Sequence, residues 1–334
     1  MAQIAGTPGS GRTDGNSDAF IEAQQYDSHI LTNLHDGLLP TNFYRNVASF
    51  GSGTTLNIKT IGTVTLQDIT ENEDLTYNPI DSGVVQLKIS DYVGGAWYIT
   101  DVIRQDGSQV EALHAAQATE NSRALQEVFE TRYLKTLNDA QTQGATNDIN
   151  GFAHRLVASG TNMTLSEADL IDMSLAFDKA NVPMGGRIAI VDPVSAAAFS
   201  KRAQLTTGAG NMDAASTLTQ TLVKDGFAKE HKFITSLYGW DIWTSNRLPT
   251  LAAGVSIDGS TNAPTEGGSV NIFMCILDDN TTPGMVAWRQ PPKTETGRDR
   301  SKKRDEFDQT ARWGQGVQRL DTLGTIITSA TATA

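Results

Sequence analysis

The sequence predicts an α+β fold, and three stretches of the chain carry that prediction. Residues 54–89 alternate apolar and polar side chains with a period of two. Residues 108–140 run without Pro or Gly through good helix formers. Residues 164–204 then read helix, short apolar strand, helix. Alternation marks strands with one buried face, and an unbroken Ala/Leu/Gln/Glu run marks a helix.

The strand-rich stretch comes first. In "TTLNIKTIG" the alternating pair is Leu56 and Ile58; in "TVTLQDI" it is Val64 and Leu66. In "VVQLKIS" the series is Val85, Leu87 and Ile89. Between them lies "QDITENEDLTYNPIDSG", acidic and bounded by Pro and Gly, which reads as the tip of a long β-hairpin. Such a tip has little of its own to bury, so it is expected to rest on something else.

The helix of 108–140 places Leu125, Val128, Phe129, Tyr133 and Leu137 on one stripe. Ser108, three residues before Glu111, is positioned for a capping box. About 30 residues at ~1.5 Å each make a rod of roughly 45 Å. A second helix in "TLSEADLIDMSLAFDKANVPMGG" is expected to be capped by Thr164 with Glu167. It leads into "RIAIVDPVSAAAFSKRAQ", a buried strand over 188–191, a turn at Asp192 and Pro193, and a helix. "FITSLYGWDIWTSNRLP" alternates around a Gly turn, and "VNIFMCILDD" is a buried strand. The remainder holds strand-like segments around a basic run. No repeat of 20–50 residues is visible.

Composition narrows the function. The chain has 334 residues, 39% hydrophobic and 19% charged, enough for a large core and more than one lobe. Lys and Arg total 26 against 38 Asp and Glu, a net charge of −12, which does not suit a protein that coats DNA. The single cysteine, Cys275, sits in an apolar run and reads as a core residue, so no disulfide within the chain and no cysteine-based zinc site is expected. No stretch reaches the ~20 apolar residues of a membrane span, and no signal peptide opens the chain. A soluble protein of a reducing cytoplasm is expected.

Catalytic motifs are missing. "GTPGSGRT" (residues 6–13) mimics a phosphate-binding loop, with Arg12 at the lysine position and Thr13 at the hydroxyl position. Such a loop must leave a buried strand and open into a helix. Here five residues precede it and "DGNSDAF" follows, so the stretch reads as part of a flexible arm. The next segment, "DAFIEAQQYDSHILTNLHDGLLP", reads as one or two short amphipathic helices. The histidines (His29, His35, His114, His154, His231) form no ligand pattern, and neither H-E-x-x-H nor G-x-S-x-G occurs. No catalytic, cofactor or metal residue is assigned.

Two charged clusters remain. Asp68, Glu71, Glu73 and Asp74 lie at the hairpin tip, either as a solvated acidic loop or as a subunit contact. Arg298, Arg300, Lys302, Lys303 and Arg304 form a basic run in "GRDRSKKRDE". It reads as a solvated face, as a nucleic-acid contact without interleaved aromatics, or as the electrostatic partner of an acidic loop on another copy.

The order of these elements resembles the major capsid proteins of the Hong Kong 97 (HK97) type found in tailed phages, short-tailed ones in particular. "TENEDLTYNPIDSGVVQLKISDY" with "ITDVIRQD" resembles their extended loop and its return. "ALHAAQATENSRALQEVFETRYL" resembles the spine helix, "GRIAIVDPVSAAAFSKR" the axial strand and helix, and "YGWDIWTSNRLP" a later axial strand. The resemblance implies an N-terminal arm at 1–48 and an extended loop at 49–100 with its tip at about 67–82. It further implies a peripheral domain at 101–160 with the spine helix at 108–140, an axial domain at 161–288, and a return to the peripheral domain at 289–334.

It also implies function. The chain would form pentamers and hexamers of an icosahedral shell, assembled in the host cytoplasm around double-stranded DNA it does not bind specifically. Its partners would be itself, a portal protein, a separate scaffolding protein (since no long built-in scaffold segment is seen) and a decoration protein. The acidic tip would meet a neighbour's basic run. No covalent cross-link is expected, because Lys59 and Lys88 lie near the loop base and the tip has no lysine. The alternatives are a tail tube or other virion protein, which the long helix and α/β lobe weigh against, and an α/β enzyme, for which no catalytic groups were found.

Overall fold

The structure, a computed structural model, describes residues 38–47, 53–62, 66–69, 71–72, 74, 79–80, 82–107, 110–142, 144–198, 233–252 and 268–331. The phosphate-loop mimic, the amphipathic 18–37 segment, Ser108, Val64 and Glu73 lie outside the described residues.

The architecture is built on two sheets that share one long helix. A four-stranded sheet has the order β1 (Arg45–Val47), β13 (Gly284–Asp299), β14 (Arg304–Val317), β4 (Asp91–Thr100). A larger mixed sheet runs β7 (Arg155–Val157), β15 (Leu323–Ser329), β12 (Gly268–Cys275), β8 (Arg187–Val191), β10 (Trp240–Thr244), β9 (Phe233–Leu237), with β11 (Thr250–Leu251) also paired to β12. Two hairpins stand apart, β2 (Thr55–Ile61) with β3 (Ser82–Lys88) and β5 (Asp148–Ile149) with β6 (Phe152–Ala153). The helices are α1 (Asp101–Asp106), α2 (Val110–Asp139) and α3 (Glu167–Lys179), and a further helix starts at Pro193, over 193–198.

The central strands β8 and β12 of the large sheet are buried on both faces, which is why they read as continuous apolar runs. Ala189 and Val191 of β8 and Phe273 and Cys275 of β12 pack with Leu170, Met173 and Phe177 of α3. The alternate residues, Ile188, Ile190, Ile272 and Met274, pack with Tyr133, Leu134 and Leu137 of α2. Cys275 is fully buried, as expected of a core residue. The β9–β10 turn holds Tyr238 at φ 50° and Gly239 at φ 83°, the pair of positive φ values that a tight two-residue hairpin requires.

The 108–140 helix is present as α2, and Leu125, Tyr133 and Leu137 of the expected stripe are buried, with Val128 and Phe129 half-buried. The cap of α3 differs from expectation. Ser166, not Thr164, is the N-cap, and its partner is Asp169 rather than Glu167. The Ser166 amide donates to Asp169 Oδ2 at 2.7 Å and the Asp169 amide to Ser166 Oγ at 3.3 Å. Thr164 is held in the preceding turn, donating to Thr161 O at 2.9 Å. The sequence offers both registers two residues apart, and Asp169 gains a further donor in the Ser159 amide at 3.0 Å, so the later one wins.

Strand pairing adds detail at three places. The extended hairpin pairs 55–61 with 82–88, whereas β4, expected within the loop, pairs with β14 instead. "TVTLQDI" is not a strand where it is described: Leu66 is 94% exposed and 66–69 have no ladder partner. The chain end does not stay with the four-stranded sheet, because β15 enters the large sheet between β12 and β7. Its residues Leu323–Ser329 are buried throughout, so burial on both sides decides its place.

Candidate functional site

Two hairpins carry the charged clusters. The β2–β3 hairpin packs through Leu56, Ile58, Val85 and Leu87, which meet Met285 and Ala287 of β13. Farther out the apolar side chains have no cover. Ile61 is 81% exposed, Ile69 74% and Ile80 87%. Isolated exposed apolar residues are ordinary, whereas larger exposed apolar patches mark interaction sites. Asp68, Glu71 and Asp74 of the same segment are exposed, and Glu73 lies outside the described residues.

The basic run forms the turn between β13 and β14, the longest paired strands among the described residues. Their ladder shifts register between Trp288 and Lys293, around Pro291 and Pro292, which have no N–H to donate. Past that point the hairpin runs out to residues 300–303. There Arg298 grips two carboxylates. Its Nη2 lies 2.7 Å from Asp101 Oδ2 and its Nη1 lies 2.7 Å from Asp305 Oδ1. Arg104 of α1 reaches the other oxygen of Asp305 at 2.5 Å. The Arg298 guanidinium holds both carboxyls below the usual range and is itself pushed up. Arg304 donates to Glu306 at 2.6 Å and lies 4.5 Å from the centre of the Tyr98 ring.

The run therefore divides. Arg298 and Arg304 are engaged within the chain, where they fasten the turn to α1 and β4. Arg300, Lys302 and Lys303 are exposed, with Lys302 Nζ 3.9 Å from Asp299. No ion pair among the described residues joins this run to the acidic tip. Sequence reasoning missed Asp101 and Arg104, which stand some two hundred positions from Arg298, and it missed the uncovered apolar residues beside the tip. The alternation that suggested a strand at 64–66 was the only signal there.

No group of His, Cys, Asp and Glu side chains among the described residues could hold a metal ion, and no described helix is long and apolar enough to cross a membrane. His154 is fully buried and stacked on Phe177, with Nδ1 3.1 Å from Phe152 O, and burial lowers its pKa.

A family model described as phage capsid protein matches residues 83–327, most of the chain. The chain belongs to that phage capsid protein family. The capsid protein shares its fold with solved shells. The capsid structure of cyanophage P-SCSP1u matches with a TM-score of 0.67 at 16% identity, covering 94% of each chain. The mature capsid of bacteriophage PhiM1 matches at 0.66 and 15% identity, covering 99% of this chain and 97% of that one. The capsid of a native GTA particle matches at 0.56 and 12% identity, covering 96% and 100%. Among curated proteins none matches the sequence. The capsid protein is thus a structural component of the virion shell with the HK97-type fold.

Proposed function

We propose that this major capsid protein builds pentamers and hexamers of an icosahedral shell around double-stranded DNA, with the β2–β3 hairpin of each copy laid on its neighbour. The observation that carries this is the uncovered apolar end of the hairpin, Ile61, Leu66, Ile69 and Ile80, on an element with no core of its own. The large sheet takes the axial role at capsomer centres, and the four-stranded sheet with α2 takes the peripheral one. A scaffolding protein, a portal and a decoration protein complete the assembly in the host cytoplasm.

The charged clusters supply register. Asp68, Glu71, Glu73 and Asp74 of one copy face Arg300, Lys302 and Lys303 of another, while Arg298 and Arg304 hold the basic turn in shape. Complementary charge of this kind gives specificity and encounter rate more than affinity. No covalent cross-link joins the copies in this reading, since the tip carries no lysine: Lys88 stands at the hairpin base and Lys59 along the ladder, opposite Val84.

Light scattering with negative-stain images of purified protein, alone and with a co-expressed scaffold, tests the assembly. Rings of five or six or closed shells are expected, and a monomer under both conditions refutes it. Reversing Arg300, Lys302 and Lys303 to Glu is expected to lower particle yield and leave the monomer folded. Unchanged yield removes the charge pairing but not the shell.

A further inference from the structure

A cleft of about 420 Å³ opens between the β2–β3 hairpin and the body of the chain. Three cationic side chains line it, each from a different element: Arg45 of β1, Lys59 of β2 and Arg319, just past the end of β14. Asn280 and Gln318 add polar groups, and Ile58 and Val85 supply an apolar wall. No carboxylate among the described residues lines the cleft, in a chain whose net charge is −12. Gln318 is fully engaged. Its Nε2 donates to Asp279 O at 2.7 Å and to Thr282 O at 2.5 Å, and its Oε1 accepts from Arg45 Nη1 at 2.8 Å. The Arg45 guanidinium is thereby held in place by a neutral partner.

We infer that this cleft binds a doubly charged oxyanion of the phosphate class, and that the bound anion clips the β2–β3 hairpin to the body of its own chain. Counting charges gives the valence. Arg319 already faces carboxylates: its Nη1 lies 3.5 Å from Asp321 Oδ2, and its charge acts on Asp278. That leaves Arg45 and Lys59, neither of which is ion-paired among the described residues, so two positive charges call for two negative ones. A guanidinium fork matches phosphate oxygens two at a time, and a lysine adds a point charge. The apolar wall lowers the local dielectric and strengthens each contact. Arg45 stands in the four-stranded sheet opposite Met285, whereas Lys59 stands on the hairpin opposite Val84. Like charges on these two elements repel across the cleft, and an anion between them turns that repulsion into attraction. The inference goes beyond the shell reading and does not depend on it, because it concerns the single chain.

Inorganic phosphate and the full-length, unassembled chain test it. Calorimetric titration with phosphate, against sodium chloride at equal ionic strength, is expected to show saturable binding at a single site. Lys59→Gln, an exposed substitution that leaves the fold intact, is expected to weaken that binding about 10-fold through loss of one charge-assisted contact. Arg45→Gln should weaken it by at least as much, and Lys135→Gln on α2, outside the cleft, should leave it unchanged. Acetate, with its single charge, is expected to bind at least ~10-fold more weakly than phosphate. Hydrogen exchange over 55–61 and 82–88 should slow when phosphate is added to the unaltered chain, and should not respond in Lys59→Gln. Four outcomes overturn the site: no saturable binding, binding indifferent to Lys59→Gln, equal weakening by Lys135→Gln, or acetate binding as tightly as phosphate. Hairpin exchange that bound phosphate does not alter overturns the clip.

Discussion

Replacing Leu66 and Ile80 together by Ser separates assembly from folding. In the single chain these side chains are 94% and 87% exposed, so they have almost nothing to lose on substitution. Exposed substitutions of this kind change stability by about 0.5 kcal/mol or less. Against a neighbour the same residues would be covered. Full burial of a Leu or Ile contributes about 1.5–3 kcal/mol, and burial of roughly two thirds of each gives about 2–4 kcal/mol for the pair. At 1.4 kcal/mol per tenfold, each hairpin contact weakens by about 30- to 700-fold. Sedimentation of particles across a concentration series, alongside thermal melting of the unassembled chain, reads both quantities. The expected result is an unchanged melt with assembly lost or moved to higher concentration. Wild-type assembly would refute the hairpin contact, and a lowered melt would show that the two side chains pack within their own chain.

Three further outcomes concern the chain itself. Glu130→Ala removes the buried acceptor of the Leu39 amide and of Ser245 Oγ, while Arg247 keeps Glu127 at 2.9 Å, and should cost about 1–3 kcal/mol in denaturant unfolding; a loss under about 0.5 kcal/mol contradicts a structural role for that carboxylate. A Cβ on Gly284 would lie 2.0 Å from Tyr133 Oη, whose hydroxyl donates to Phe43 O at 2.7 Å, so Gly284→Ala should cost about 1–3 kcal/mol. Gly297→Ala, where a Cβ meets nothing within 4 Å, serves as the neutral control in the same melts. His154 has its pKa lowered by burial, so below the ordinary value of about 6.5 the unfolded chain binds more protons than the folded one. Stability should therefore fall as pH drops from 7 toward 5, and His154→Gln should flatten that slope; an unchanged slope would assign the effect to other groups.

Much of the fold was legible because local pattern and tertiary setting agree. The apolar runs at 188–191 and 270–275 could only be strands buried on two faces, and 110–139 had no residue able to break a helix. Where two local solutions competed, the sequence did not choose between them. Thr164 and Ser166 both head a capping box, and the Ser159 amide decides for Asp169. The β5–β6 hairpin had a usable signal, Asn150-Gly151 at φ 52° and 81°, which the short flanking strands obscured. Arg187 stands just before the strand expected at 188–191, and its guanidinium is buried, donating to Asp178 at 2.5 Å and to Val182 O at 2.7 Å. Its partners come from the last turn of α3 and from carbonyls of the turn that follows it, a combination that residue type alone does not signal. At the charged clusters the residue types were plain and the pairing was not. Arg298 finds Asp101 and Asp305 through a strand pairing that only the completed sheet creates.

The position of β15 sets a clock on biosynthesis. It supplies the strand beside β12, so a nascent chain halted before residue 323 has one edge of that strand bare, with apolar side chains on both of its faces. An open edge of that kind pairs readily with other chains. The large sheet becomes whole only when the last of its strands has been translated and threaded between β12 and β7. Subunit competence is thereby tied to synthesis past residue 329, and a chain halted before residue 323 carries an edge open to wrong partners.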